Sequence, residues 1–265
     1  MFLEDGDCAG LSTRTPPVTR SAYGTRIQCF ADFLGFDVPD VRRRRDGRLP
    51  LRVWWIGLDF DAAEHLEAVE RRVFSPQHDG GPAHAVRLSR RFGAPAEELW
   101  DALTDQERLR RWFMPVGGEL RLGGRYQFEG NAGGTITACQ PPSLLAVTWE
   151  FAGDVSWVEV LVSNDGAKGG RLTLTHTSGP SEHWDEYGPG ATGVGWELGL
   201  LGLAFHIGRP SEPKLDEVAF ATSPEGRAFI AGSGEAWGQA AVAAGTALEV
   251  AKAAAKRTTA FYLGE

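Results

Sequence analysis

Three linked segments constrain this chain's fold more than anything else in it. They are Ala94-Pro-Ala-Glu-Glu-Leu-Trp-Asp-Ala-Leu-Thr-Asp105, Leu109-Arg-Arg-Trp112-Phe113-Met-Pro115 and Leu120-Arg-Leu-Gly-Gly-Arg-Tyr-Gln-Phe128. Just before them Val86, Leu88 and Phe92 alternate and predict a first strand, with Arg90 interrupting the apolar pattern. Pro95 suits the first turn of a helix, and Glu97 and Glu98 suit its positive end. A short helix burying Leu99, Trp100 and Leu103 is therefore predicted next. Thr104-x-x-Glu107 reads as a capping box for a second helix that presents Leu109, Trp112 and Phe113 at i, i+3 and i+4. Helices this short are unstable alone and must pack on another element.

Residues 120–177 read as antiparallel sheet. Leu120 to Leu122 and Tyr126 to Phe128 flank Gly123-Gly124, a tight-hairpin dipeptide. Further strands are predicted near 135–140, 144–151, 155–162 and 171–177. Leu145, Val147, Trp149 and Phe151 share one face, and Leu172, Leu174 and His176 share another. The segment 190–207 reads as a long helix, apolar around most of its circumference and carrying Trp196, Leu200 and Leu203. Such a helix must be enclosed. Upstream, Leu66, Val69 and Val73 fall on one face and predict an amphipathic helix over 61–73, broken by the 77–82 cluster. In the tail, Ser223-Pro224 is an N-cap followed by proline, and Thr246-x-x-Glu249 begins an Ala-rich helix running to about Thr259. These tail helices pack on the main domain or on a second copy, as in a homodimer.

Composition narrows the function. The net charge of −8 argues against nucleic-acid binding. Cys8, Cys29 and Cys139 are widely spaced and form neither a disulfide framework nor a zinc pattern. The longest apolar run, 193–207, is too short to span a bilayer and contains Glu197, so no membrane partner is expected and a cytoplasmic setting is the default. Residues 1–57 carry +2 and the rest −10. Their Arg42–Arg45 run reads either as an anionic-surface patch or as part of a disordered leader or mis-set start, and the second reading is preferred because no aromatic or structured partner surrounds the arginines. The expected organisation is that leader, a short helix and linker over 58–82, a main domain over 83–210, and a helical extension over 211–265.

A strand, two short helices, an uninterrupted run of strands and one long helix together resemble the helix-grip order of the START/SRPBCC superfamily. Its branch similar to the activator of heat-shock protein 90 ATPase shows the closest resemblance. The residues carrying it are the three opening segments, Gly133-Gly-Thr-Ile136, Gly193-Val-Gly-Trp196, and in the tail Ala243-Ala-Gly-Thr246 with Arg257-Thr-Thr-Ala-Phe-Tyr262. The tail phrases resemble a bacterial subgroup. The resemblance covers residues from about 58 to the end and implies an α+β helix-grip fold: a curved antiparallel sheet wrapped around the long C-terminal helix. It implies no universal catalytic residues. Members bind hydrophobic molecules or act on a chaperone.

Candidate chemistry is weighed against that background. His176 is either a polar anchor in a ligand pocket or a satisfied core histidine. Glu182-His183-Trp184-Asp185-Glu186 holds ligand-type residues but matches no zinc spacing, and reads better as a solvated loop. Gly123-Gly124 and Gly169-Gly170 lack the ending of a phosphate loop and read as turns. Glu150 and Glu159 interrupt apolar strands. Glu159, sharing a face with Trp157 and Leu161, is either a buried acid or base or a solvent-facing carboxylate. The aromatic residues Trp112, Phe113, Phe128, Trp149, Trp157 and Trp196, with Leu200, converge on one cavity or fill it as ordinary core. With Glu159 and His176 they form the candidate ligand-cavity set. No catalytic residue, cofactor or metal is assigned. The expected function is non-catalytic binding of a small hydrophobic molecule. The alternatives are a partner of a chaperone, and a cyclase- or hydrolase-type enzyme requiring an acid–base pair inside the cavity.

Overall fold

The computed structural model describes residues 60–167 and 169–265. The leader expected over 1–57, with Arg42–Arg45, Cys8 and Cys29, lies outside the described residues. Helix α1 (Ala62–Glu67) and strand β1 (Val69–Phe74) come first, then a small hairpin of β2 (Gln77–His78) and β3 (Gly81–Pro82). Strand β4 (His84–Phe92) leads into the short helices α2 (Ala96–Thr104) and α3 (Gln106–Leu109). Strands β5 (Val116–Gly118), β6 (Arg125–Phe128), β7 (Gly133–Gln140), β8 (Leu144–Phe151), β9 (Asp154–Asn164) and β10 (Gly170–Ser178) come next. Helices α4 (Glu182–Tyr187), α5 (Gly190–Gly208), α6 (Glu217–Thr222), α7 (Pro224–Ala243) and α8 (Leu248–Leu263) complete the chain. The fold is α+β. One eight-stranded antiparallel sheet, in the order β1-β4-β10-β9-β8-β7-β6-β5, curves around α5. No helix among the described residues is long and apolar enough to cross a membrane.

Several local expectations are corrected. The helix predicted over 61–73 stops at Glu67, and Val69–Phe74 forms an edge strand paired with β4 in the register Val69↔Arg90 to Phe74↔Ala85. Val69 and Val73 satisfy a helical and an alternating period equally well, and the intervening Arg71 concealed the alternation. Arg71 points inward because it has a buried partner. Its Nε and Nη2 donate to Glu197 of α5 at 2.6 and 2.7 Å, and its remaining contacts are the carbonyls of Leu66 and Val69. Glu197 is 1% exposed.

Arg90 likewise keeps the parity of Val86, Leu88 and Phe92 and is buried, with Nη2 donating to His65 Nδ1 at 2.9 Å. That bond requires an unprotonated Nδ1 on His65. Burial, and then the Arg90 charge, pull the His65 pKa from 6.5 down to about 4. A residue that looked out of pattern is thus part of an Arg71–Glu197–Arg90–His65 cluster tying α1 and β1 to α5.

The hairpin predicted around Gly123-Gly124 is also displaced. β6 pairs with Val116–Gly118 rather than with 120–122, leaving 119–124 as a loop in which Leu122 is 59% exposed. Gly118 at φ 108° turns the chain out of β5; Gly124 N closes a turn onto the Arg121 carbonyl, and Gly123 N and Gly124 O bond to Ile136 of β7 instead of joining two hairpin strands. Helix α3 is capped by Asp105, whose carboxylate accepts from Arg108 N, and not by Thr104. The 182–186 segment forms the helix α4, with Ser181 as its cap. In the tail, Ser223 caps α7 as expected, whereas α8 begins after Ala247 and runs on to Leu263. Both helices pack on the main domain. Trp237 of α7 is fully buried over Gly193 of α5, and Thr258 of α8 donates to the Tyr187 carbonyl.

Candidate functional site

Between the concave face of the sheet, α5 and the α2–α3 segment lies a cavity of about 380 Å³. Alternation along the strands builds its floor. Leu145, Val147 and Trp149 come from β8, Val158 and Val160 from β9, and Leu172 and Leu174 from β10. Helix α5 supplies Trp196, Gly199 and Leu200. The lid is Trp100, Leu103, Leu109, Trp112 and Phe113, and the mouth is Leu120 and Arg121 of the 119–124 loop with Pro141.

The lid is held by specific bonds. Trp112 Nε1 donates to the Ala102 carbonyl at 2.9 Å, and Phe113 N donates to Leu109 at 2.8 Å, continuing the turn beyond α3. The Phe113 carbonyl accepts from Lys214 Nζ, which pairs with Glu217 of α6 at 3.0 Å. Aromatic rings then meet in series. Phe113 lies nearly parallel to Trp196 (6.1 Å, 16°) and edge-on to Phe128 (5.2 Å, 89°). Trp149 packs on Phe128 at 5.7 Å and on Trp196 at 5.1 Å. Such edge and offset contacts are favourable without filling the space between them.

Of the nine candidate residues, Trp112, Phe113, Phe128, Trp149, Trp196 and Leu200 line the cavity. His176 stands on the inner face but behind Trp149 and Trp196. Its Nδ1 accepts from Trp196 Nε1 at 2.9 Å, so Nε2 carries the proton and donates to Ser156 Oγ at 2.8 Å. Ser156 Oγ in turn donates to the Trp149 carbonyl. His176 is therefore a satisfied, neutral core histidine that fixes the indole of Trp196, and burial lowers its pKa from 6.5 to about 4.

Trp157 and Glu159 lie outside. The inward residues of β9 are Val158, Val160 and Val162, and parity sends the neighbours to the outer face, where Trp157 packs on His78 and Glu159 is exposed. Glu150 sits outside as well, paired with Arg125 at 2.7 Å. Val158, Val160, Tyr126, Cys139 and Arg121 were missed as lining residues. For the two valines the signal was present, because Glu159 marks its own set as the wet one.

The buried titratable groups give opposite pH slopes. The depressed pKa of His176 supplies stability that is complete above pH 6.5 and is lost as pH falls toward 4, roughly 3 kcal/mol in all. Glu217, raised from 4.5 to about 7 chiefly by burial, supplies stability present below pH 4.5 and lost as pH rises to about 7. Denaturant unfolding between pH 4 and 8 is expected to show a flatter acid limb in His176→Phe and a flatter loss from pH 4.5 to 7 in Glu217→Gln. Unchanged slopes in both variants would contradict these assignments.

Residues 93–205 match the family model for Activator of Hsp90 ATPase homolog 1-like protein. The crystal structure of CalU16 from Micromonospora echinospora is 33% identical, with a TM-score of 0.53, covering 65% of this chain and 98% of that one. The solution structure of the same protein is 33% identical, with a TM-score of 0.57, covering 67% and 97%. A conserved protein of unknown function from Enterococcus faecalis, 16% identical, shares the fold with a TM-score of 0.50 over 70% of this chain and 96% of its own. No curated protein matches the chain.

Proposed function

We propose that this chain, which belongs to the family of Activator of Hsp90 ATPase homolog 1-like proteins, binds a small hydrophobic molecule without transforming it. The cavity carries the reading: it is large enough for a drug-sized ligand and walled by aromatic and aliphatic side chains. Apolar surface leaving water there contributes at about 25 cal/mol per Å². Among the described lining residues there is no carboxylate, imidazole or lysine, so the acid–base pair that an enzyme of the cyclase or hydrolase type would use is not in the wall. The test is a thermal-shift panel of lipids, flavonoids and polyketides. A ligand at a hundred times its Kd adds about 2.7 kcal/mol, which raises Tm by roughly 5–10 °C for a chain of this size. No shift with any apolar compound would count against the proposal.

A chaperone-partner role is the second reading. It is favoured by the exposed Val155 and Leu161 on the outer face of β9 and by Leu248 and Val250 of α8. Pull-down with the chaperone tests it, and capture abolished by Val155→Lys with Leu161→Lys is the supporting result.

A further inference from the structure

We infer that Arg121 makes the cavity selective for carboxylic acids, so that its ligand is an apolar body with an acidic head held at the mouth. The inference rests on the cavity-binding reading and assigns the ligand's charge.

The polar atoms of the wall are mostly committed within the protein. Trp112 Nε1 donates to Ala102, Trp196 Nε1 to His176, Tyr126 OH to the Thr148 carbonyl at 2.7 Å, and Thr104 Oγ1 to the Trp100 carbonyl at 2.8 Å. Among the described lining residues Arg121 alone is charged, and none is Asp, Glu, Asn, Gln, His or Lys. An ammonium group entering this space meets no counter-charge among the lining residues, and the Glu119 carboxylate at the rim is already paired with Arg121, whereas a ligand carboxylate meets a guanidinium able to take it bidentately.

Arg121 is also free to change partners. It donates to Glu119 at 2.6 Å, but the two side chains are 72% and 65% exposed, so this is a rim pair that contributes little. A ligand carboxylate replaces Glu119 at small cost while its apolar body is buried beneath. The loop that carries Arg121 is braced for this. Arg121 N donates to Glu119 O and Gly124 N to Arg121 O, both at 2.8 Å, and Gly123 N and Gly124 O are fastened to Ile136 at 2.8 and 3.0 Å. Gly118 at φ 108° and Gly123 at φ 76° allow the turns at either end. A flexible side chain thus projects from a fixed backbone at the entrance.

The test uses 2-naphthoic acid, 2-naphthamide and (2-naphthyl)methylamine, titrated against the full chain by intrinsic tryptophan fluorescence. The acid should bind about tenfold tighter than the amide, and the amine weakest. Arg121→Gln should bring the acid to the level of the amide and leave the amide within about twofold. Glu119→Gln, which removes the competing carboxylate, should tighten the acid alone. Both substitutions are on an exposed loop, where effects on folding are small. Equal binding of acid and amide to the wild type, or a preference that survives Arg121→Gln, overturns the inference while sparing the cavity reading. Failure of all three probes to bind the wild type overturns the reading and the inference together.

Discussion

Replacing Glu197 by alanine should cost about 3–5 kcal/mol of stability in a guanidinium titration, the loss typical of a buried ion pair deprived of one member. Both carboxylate oxygens of Glu197 are bound by Arg71, and the side chain is fully shielded from water. Its removal strands the Arg71 guanidinium and takes away the carboxylate that most favours the charge of the buried Arg90, whose pKa burial already lowers. The damage should travel, because this cluster joins the edge strand β1 to the helix that carries Trp196. Arg71→Leu combined with Glu197→Leu should recover part of the loss, and adding Arg90→Leu should recover more, since packed apolar groups replace buried ions at little net cost. A loss below about 1 kcal/mol for Glu197→Ala would show that the cluster does not tie β1 to α5.

Gly193→Ala should cost about 3 kcal/mol, at the upper end of overpacking effects. A Cβ at that position would stand 2.1 Å from Trp237 Cε2 and 2.4 Å from its Nε1, and Trp237 is fully buried between α5 and the tail helices. Alanine is worth about 1 kcal/mol over glycine inside a helix, and that gain does not offset a displaced indole. Gly199→Ala is the control on the same helix. There the new methyl meets the Phe113 ring at 3.5 Å, an ordinary contact, so the propensity gain should appear as increased stability. Equal effects of the two substitutions in denaturant unfolding would refute the close contact of α5 with α7.

How far the sequence revealed this molecule can be judged strand by strand. In β10 the set opposite Leu172, Leu174 and His176 is Arg171 and three threonines, and in β8 the set opposite Leu145, Val147 and Trp149 ends in Thr148 and Glu150, so the inward side of both strands is legible. In β9 both sets hold apolar residues: Trp157 and Leu161 in one, Val158 and Val160 in the other. Bulk favoured the first, but Glu159 belongs to it, and an unpaired carboxylate facing an apolar floor is the costlier arrangement. The edge strand β1 was hidden because its inward Arg71 is intelligible only beside Glu197, far away in the chain. The loop over 119–124 was hidden because Gly123 N and Gly124 O are fastened to Ile136 of β7, a partner that the local sequence does not reveal. For His176 the sequence leaves a ligand anchor and a satisfied core histidine both open. The indole N–H and serine hydroxyl that satisfy it come from α5 and β9, and no local pattern announces them.

The central claim, that an apolar molecule occupies the space beneath Trp196, is tested most directly by adding a side chain there. Val147 lines the cavity floor from β8, where a phenylalanine suits the strand and enters open space rather than packed core. Binding of an apolar ligand identified by thermal shift should be measured by calorimetry on the wild type and on Val147→Phe. The expected result is saturable one-to-one binding to the wild type with a negative heat-capacity change, and loss of binding in a variant whose unfolding midpoint is unchanged or raised. Equal affinity for the two proteins would place the ligand elsewhere and contradict the claim.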